Sequence, residues 1–415
     1  MGTSGKSSGT PAPLRRNRDF LLLESGLLLS SIGTSLTTIA YPFLTLEVTH
    51  SPAKAGVVGF ARLLPFGAFS LLAGLAADRW PRKRLMIAAD AVRVVAMGSL
   101  AAALLADTVP FWGIFAVAFV EGTASTFFTA AGSGALRAVV PAPQLPAAAA
   151  TLEAPRSIVW LGGAPLGGAL YGLSRVIPFA VDAVSYLCST LALLVMRTPF
   201  EQPRERERAP LRAQFSEGFQ YMWDHAFLRV TAFVYGAGNL LTTALFLLII
   251  LVGKAEGLSP GRIGLLSAMV GVGALVGSLA SPLFRKLLSV RTILLLELWT
   301  WIGVWVFVAW PHAYVLAAWS LLFGIAAPVT DSVVVGYRLA MTPDHLVGRV
   351  ESVRTTISLV ASPLGPLAAG WLFEATNART TGAIAAVCGL ALALWGTLSP
   401  ALRDAPSLSE LQAVK

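Results

Sequence analysis

Between Phe20 and Leu402 the chain is a series of long apolar runs broken by very short polar stretches. Each run is close to the ~20 residues that a helix needs to cross the hydrocarbon core of a bilayer. In lipid every backbone polar group has to be satisfied within its own element, so the pattern predicts helices. About twelve runs are legible. The first six, spans 1 to 6, are 20–47, 53–77, 84–106, 110–137, 145–172 and 176–197. Spans 7 to 12 are 228–252, 261–284, 289–310, 312–338, 346–373 and 380–399. Several exceed a bilayer thickness, which implies tilted helices. The expected fold class is an all-α membrane protein with twelve transmembrane helices.

The longest polar break is Thr198 to Phe227. It holds Arg204-Glu205-Arg206-Glu207-Arg208 and then an amphipathic stretch around Phe215, Phe219 and Tyr221. Charged and central, it is expected to link two halves. The chain then divides into a disordered cytoplasmic tail (1–18), a six-helix bundle (19–198), the linker (199–227), a second bundle (228–400) and a C-terminal tail (401–415). An even number of spans puts both termini on one side. That side carries about 21 Lys and Arg against about 5 on the other, which the positive-inside rule makes cytoplasmic. The sparse, external set is Lys54, Arg175, Lys254, Arg262 and Arg379.

The halves repeat. Gly33 to Thr38 matches Gly238 to Thr243, and Ser51-Pro52 to Gly56 matches Ser259-Pro260 to Gly264. Gly74 to Lys83 matches Gly277 to Lys286, and Arg137 to Leu145 matches Arg338 to Leu346. In Ser51-Pro52 and Ser259-Pro260 the serine can cap a helix whose first turn holds the proline. Four ordered matches, each near a spacing of about 200 residues, indicate duplicated halves related by an axis along the membrane normal.

Composition narrows the function. Of 415 residues, 55 % are hydrophobic and 13 % charged, about half the charged share of a soluble protein. The net charge of +9 sits in membrane-edge loops, and no nucleic-acid module is visible. Cys188 and Cys388 lie within spans and lack metal-ligand spacing. Gly5-Lys6-Ser7 lacks the leading glycine and strand of a phosphate loop, so no nucleotide site is expected. The first 18 residues lack the apolar core of a signal peptide. No catalytic residue, cofactor or metal is expected. A chain with almost no soluble mass points to a transporter or channel in a lipid bilayer.

The sharpest motif is Gly74-Leu-Ala-Ala-Asp78-Arg79-Trp-Pro-Arg82-Lys83-Arg84, between spans 2 and 3. It resembles the G-x-x-x-D-R-x-G-R-[KR] signature of the major facilitator superfamily, with Pro81 in place of the second glycine. Further resemblance lies in Ala61-Arg62-Leu-Leu-Pro65, Ala89-Asp90 with Arg93, Phe179-Ala-Val-Asp182-Ala-Val-Ser185-Tyr186 and Gly348-Arg349-Val350. Together these are similar to the bacterial efflux branch that includes the enterobactin exporter and the macrolide-efflux carriers. The resemblance covers about residues 19–400. It implies two pseudo-symmetric six-helix bundles in the bacterial inner membrane, and alternating access. It also implies that Asp78 meets the start of span 11 when the cytoplasmic side is closed. The expected clasp is Gly74, Asp78, Arg79, Arg82 and Lys83 against Gly348, Arg349, Glu351 and Arg354. Ser281 stands where the second half would carry the Asp, so the clasp should be asymmetric.

In span 5, Gly162-Gly163-Ala164-Pro165-Leu166-Gly167-Gly168 resembles the Gly-Pro motif of antiporters, with Gly163, Pro165 and Gly168 as its packing residues. It leans toward export, with an ordinary close-packed helix as the alternative. Many relatives carry an Asp after the glycine of span 1, where this chain has Gly33-Thr34, so coupling through that Asp does not carry over.

Ionisable groups within lipid are costly and are functional candidates by default. The resemblance implies that spans 1, 4, 7 and 10 line the cavity, which selects Glu24, Thr34, Glu121, Asn239 and Asp331. Glu121 is near mid-depth, with Arg62 as its expected partner, for transport chemistry or as a structural pair. Asp182 and Glu297 fall on spans expected to be peripheral, which suggests structural roles. Asp90 with Arg93, Glu153 with Arg156 and Glu351 with Arg354 are spaced to pair locally. Trp160, Tyr41 and Tyr235 could stack on a substrate or serve in packing. The expected activity is export of a small organic molecule, a siderophore or antibiotic, in exchange for protons, by a monomer. Import or uniport of a metabolite is the alternative, and a non-transporting receptor a further one.

Overall fold

The computed structural model of the chain describes residues 14–132, 134–198, 200 and 211–403. The side chains of 153, 154, 157, 160 and 211–214 lie outside that description. So do the first tail up to residue 13, most of the charged linker run, and the end of the chain beyond Arg403. The expected pairing of Glu153 and the stacking of Trp160 therefore fall outside the described residues. The described residues are helical, with no strand among them.

Span 1 is α1 (Arg18–Thr49), preceded by a short 3-10 turn at Leu14–Arg16. Span 2 is α2 (Pro52–Ala68) and α3 (Ser70–Arg79), bent by 51° after Pro65. Spans 3 and 4 are α4 (Arg82–Leu105) and α5 (Phe111–Gly132), the latter followed by the one-turn α6 (Ala135–Val139). Spans 5 and 6 are α7 (Leu145–Leu173) and α8 (Ile177–Val195). The linker folds in part as α9 (Leu211–Asp224). Span 7 is α10 (Ala226–Ala255), and span 8 is α11 (Pro260–Ser267) with α12 (Met269–Leu287). Span 9 is α13 (Val290–Trp299), a 3-10 turn and α14 (Val304–Ala309). Span 10 is α15 (Ala313–Met341), and span 11 is α16 (Asp344–Ala361) with α17 (Leu364–Ala375). Span 12 is α18 (Ala378–Leu398), and α19 (Pro400–Arg403) ends the described chain.

Ten of these spans are long and apolar enough to cross a membrane, and α2 with α3 makes eleven. The twelfth is α7, whose length of 29 residues is sufficient but whose glycines and prolines dilute its apolar character. Caps follow local sequence. Asn17 accepts from the Phe20 amide, Ser51 from Lys54 and Asn377 from Thr380. Ser259 does not cap α11 through its side chain, although Pro260 opens the helix as the repeat predicts. Large apolar side chains such as Leu105, Leu279 and Leu398 are about three-quarters exposed on the outer surface. That pattern suits lipid as the surrounding solvent.

In the first half α1 packs on α7 and α8, and α4 on α5 and α8. In the second half α12 packs on α15, and α10 on α16, α17 and α18. The linker helix α9 lies on α16, and its Tyr221 Oη donates to the Met341 carbonyl at the end of α15 at 2.6 Å.

Two seams join the halves, both at the ends remote from the termini: α2 against α17, and α7 against α11. Glycines make the close approach possible. A Cβ on Gly56 would lie 2.4 Å from the Pro366 carbonyl oxygen, and one on Gly370 2.4 Å from that of Pro52. On the other seam a Cβ on Gly168 would lie 2.3 Å from the Pro260 oxygen, and one on Gly264 2.4 Å from that of Ala164. Glu374 adds a polar latch: its Oε2 accepts from Ser51 Oγ at 2.5 Å and from the Ala53 amide at 2.9 Å. At the terminus-side ends, a Cβ on Gly74 or Gly348 would meet nothing within 4 Å. The molecule is thus shut on the far side and open on the side of its termini.

Candidate functional site

A buried polar network fills the middle of the first half. Arg62 on α2 donates from Nε to Glu121 Oε2 at 2.9 Å, from Nη1 to Thr38 Oγ1 at 3.0 Å and from Nη2 to the Thr34 carbonyl at 3.3 Å. Its guanidinium lies over the Tyr41 ring, 5.2 Å from the centroid. Glu121 is 1 % exposed. The second oxygen of its carboxylate accepts from Ser125 Oγ at 3.1 Å and Tyr186 Oη at 3.3 Å. Thr34 Oγ1 meets Tyr186 Oη at 2.8 Å. The expected Glu121–Arg62 pair is therefore present, with Thr34 beside it.

The network reaches further. Arg93 on α4 is held by Asp90 and touches Ser125 Oγ at 3.4 Å, with its guanidinium over the rings of Tyr186 and Phe128. Asp90 Oδ2 and Arg93 Nε have no hydrogen-bond partner among the described residues. Asp182 on α8, wholly buried, accepts from Thr37 Oγ1 at 3.0 Å and Ser185 Oγ at 3.4 Å. A Cβ on Gly33 would lie 2.3 Å from its Oδ1. α8 thus brings a carboxylate against α1 beside Thr34, where Asp182 is held by Thr37 and Ser185.

Arg62, Arg93 and Glu121 line a cavity of about 970 Å³ whose far wall is Gly271, Ala274 and Ser278 of α12. Arg156 on α7 lines it as well. Beyond Arg62, toward the closed seams, lies an apolar pocket of about 340 Å³ bounded by Tyr41, Leu63, Phe246 and Pro366. Arg62 borders both. Glu24, half-buried near the start of α1, stands apart from this network.

The second half has its own polar cavity, about 330 Å³, lined by Tyr235, Asn239, Glu297, Asp331, Arg338 and Arg354. Asn239 Nδ2 donates to Ser358 Oγ at 2.5 Å. Tyr235 Oη donates to the Leu294 carbonyl at 2.8 Å. Glu351 pairs with Arg354, as its spacing predicts, and also with Arg338 at 2.9 Å. Asp331 and Asn239 share this cavity, away from Glu121. Glu297, expected to be structural, faces it too.

The clasp residues stand in two groups. Asp78 bonds Arg82 at 3.3 Å, and Lys83 Nζ donates to the Met196 carbonyl at 2.6 Å. Arg349 pairs with Glu217 of α9, and Glu351 with Arg354. Gly74 and Gly348, one in each group, both face open space, as befits a side that is open. In the Gly-Pro motif a Cβ on Gly163 would lie 2.3 Å from Ser35 Cβ, so Gly163 sets the approach to α1. Gly168 and Pro165 face α11. The motif is close-packed on both sides.

A family model described as "Major Facilitator Superfamily" matches residues 23–297. The chain belongs to the major facilitator superfamily. Its relatives include the multidrug efflux pump Tap of Mycolicibacterium fortuitum, 26 % identical over 92 % of this chain and 96 % of that protein. Another is macrolide efflux protein A of Streptococcus pyogenes, 24 % identical over 83 % and 87 %. Among solved structures, the nucleoside transporter NupG superposes with a TM-score of 0.71 at 14 % identity, covering 91 % of this chain and 98 % of that one. An inward-facing, unoccupied bacterial homologue of the human lysosomal transporter Spinster gives 0.65 at 15 %, covering 98 % and 95 %. The efflux-branch resemblance and the twelve-helix facilitator fold are borne out. The chain is a multi-pass membrane transporter.

Within this facilitator, sequence reasoning found Arg62, Glu121 and Thr34. It missed the junction of Arg93 and Asp182 with them. Each carried a signal, being a charge in an apolar run, but Arg93 was expected only to pair with Asp90 and Asp182 only to serve a structural role on a peripheral span.

Proposed function

We propose that this facilitator exports small organic molecules across the bacterial inner membrane by alternating access, in exchange for protons. The basic side holding both termini is then cytoplasmic, and the structure is an inward-open conformer. The observation that carries the reading is the Arg62–Glu121 pair on the wall of a cavity that both halves line. An ionic pair buried there is retained at a desolvation cost, and a proton on Glu121 would release Arg62. Release of Arg62 would alter the boundary between the polar cavity and the apolar pocket. That pocket suits an apolar, drug-sized body, so antibiotics stand ahead of hydrophilic siderophores as cargo. The efflux pumps among the relatives agree with that direction.

The test uses everted vesicles, a labelled macrolide and an imposed proton gradient. Wild type accumulates the macrolide. Glu121→Gln loses gradient-driven uptake and keeps exchange down a macrolide gradient. Normal driven uptake by Glu121→Gln across a pH series would remove Glu121 from coupling. Uptake without any gradient dependence would favour a uniporter.

A further inference from the structure

The linker helix α9 has three faces. Gly218 and Met222 are buried: a Cβ on Gly218 would lie 2.7 Å from the Arg349 carbonyl of α16, and Met222 joins a core with Leu346 and Val350. Ser216, Gln220 and Asp224 form a polar, exposed face. Between the two run Phe215, Phe219 and Trp223, which are 37 %, 40 % and 47 % exposed. Spaced four residues apart, they share a stripe about 80° wide. The Phe219 and Trp223 rings stack, with centroids 5.6 Å apart.

What covers this stripe follows from where it ends. Trp223 precedes the first turn of α10 at Ala226, and its ring meets that of Phe233 edge-on, 6.2 Å between centroids. Phe233 is itself exposed. From α10 the polar cavity of the second half takes Thr231, Ala232, Tyr235 and Asn239. Phe233 is turned at least about 100° from each of them around the helix. The stripe therefore runs into an apolar surface of span 7 that faces away from the cavity. Arg229 caps the junction: it donates to the Trp223 carbonyl, and its guanidinium lies over the Trp223 ring, 5.4 Å from the centroid. Tryptophan and arginine at the end of a span belong at the level of the lipid headgroups. A helix with a bulky aromatic side and a polar side lies in the plane of that region, its rings at the boundary of headgroups and acyl chains.

We infer that the partner of α9 is the lipid leaflet on the terminus side, into which Phe215, Phe219 and Trp223 insert while Ser216, Gln220 and Asp224 face water. The Glu217–Arg349 pair and the Tyr221–Met341 bond fasten α9 to the second half, so the leaflet holds the terminus-side ends of spans 7, 10 and 11 at one depth. The inference requires only that the chain spans a bilayer, and is independent of export and of proton coupling.

The experiment uses the full chain with Cys188→Ala and Cys388→Ala, carrying one cysteine at Phe215, Phe219, Ser216 or Gln220, labelled with a nitrobenzoxadiazole fluorophore. Each protein is placed in phosphatidylcholine nanodiscs, with or without phosphatidylcholine bearing a doxyl group near the headgroup. A label at Leu398→Cys, on the outer surface of span 12, gives the lipid reference. Labels at 215 and 219 should be quenched by the doxyl lipid at least about twofold more than those at 216 and 220, and iodide in the water should show the reverse order. Either stripe position alone suffices if the other variant fails to insert. Equal iodide quenching at all four positions without a doxyl effect would put the stripe in water and overturn the inference. Shielding of 215 and 219 from both quenchers would mean that protein covers the stripe, a chain terminus or a second copy, and would overturn it as well.

Discussion

Replacing Gly370 by alanine should push the transporter out of the conformer that is open on the side of its termini. The added Cβ would sit 2.4 Å from the Pro52 carbonyl oxygen and 3.0 Å from Gly56 Cα. Ordinary carbon–oxygen contacts begin near ~3.3 Å, so α2 and α17 would have to separate by about 1 Å. Both obstacles are backbone, so no side-chain rotation relieves the clash. Overpacking of this kind costs ~1–3 kcal/mol, and the cost falls on the conformer in which the seam is closed. Opening of the far side would separate the seam and remove it. The ratio of far-side-open to terminus-side-open molecules should rise by roughly 5- to 150-fold. Spin labels at Lys54 and Arg379 report the far side, and labels at Lys83 and Arg285 the terminus side. The far-side distance distribution should gain a longer component while the terminus-side distances shorten. Gly168→Ala, on the separate α7–α11 seam, should act in the same direction and add in free energy. Gly98→Ala on α4 is the control, because its Cβ meets nothing and it lies in neither seam nor the clasp. A well-inserted Gly370→Ala protein with unchanged distances on both sides would refute the reasoning.

Arg62→Leu leaves the Glu121 carboxylate buried without its cation. It should cost ~3–5 kcal/mol of stability, largely recovered in Arg62→Leu with Glu121→Leu, as read by thermal unfolding in detergent. Asp78 is half-exposed and bonds the neighbouring Arg82. Asp78→Asn should therefore change stability by no more than ~1 kcal/mol while impairing transport, with unimpaired transport counting against the clasp. Cysteine introduced at Lys254 should react with an impermeant reagent applied to whole cells, and cysteine at Arg285 should not; the reverse pattern would invert the topology. Glu374→Gln weakens the acceptor that holds Ser51 and the Ala53 amide, and should increase far-side accessibility to labelling.

The sequence by itself determined the number of spans, the two-fold repeat and the residues that carry a desolvation cost. Those properties are local: a run of apolar residues in lipid has few options besides a helix, and a charge within it is visible wherever the helix goes. Glu121 and Arg62 were legible as buried charges for the same reason, and the motif at Gly74 to Arg84 through its resemblance to a known signature. Tertiary structure decided which charges meet. Helices such as α1 and α5 are apolar around most of their circumference, so periodicity does not reveal which face turns inward. Only packing showed that α8 carries Asp182 to Gly33, that Arg93 of α4 reaches Ser125 beside Glu121, and that Glu297 of α13 enters a cavity with Asp331. The choice of conformer was decided there too. The chain holds glycines for a close approach at both ends of span 2, Gly56 and Gly74, and sequence cannot say which approach is made. In the folded chain Gly56 lies against Pro366 and Gly74 faces open space, so the close approach is made at the far end of span 2.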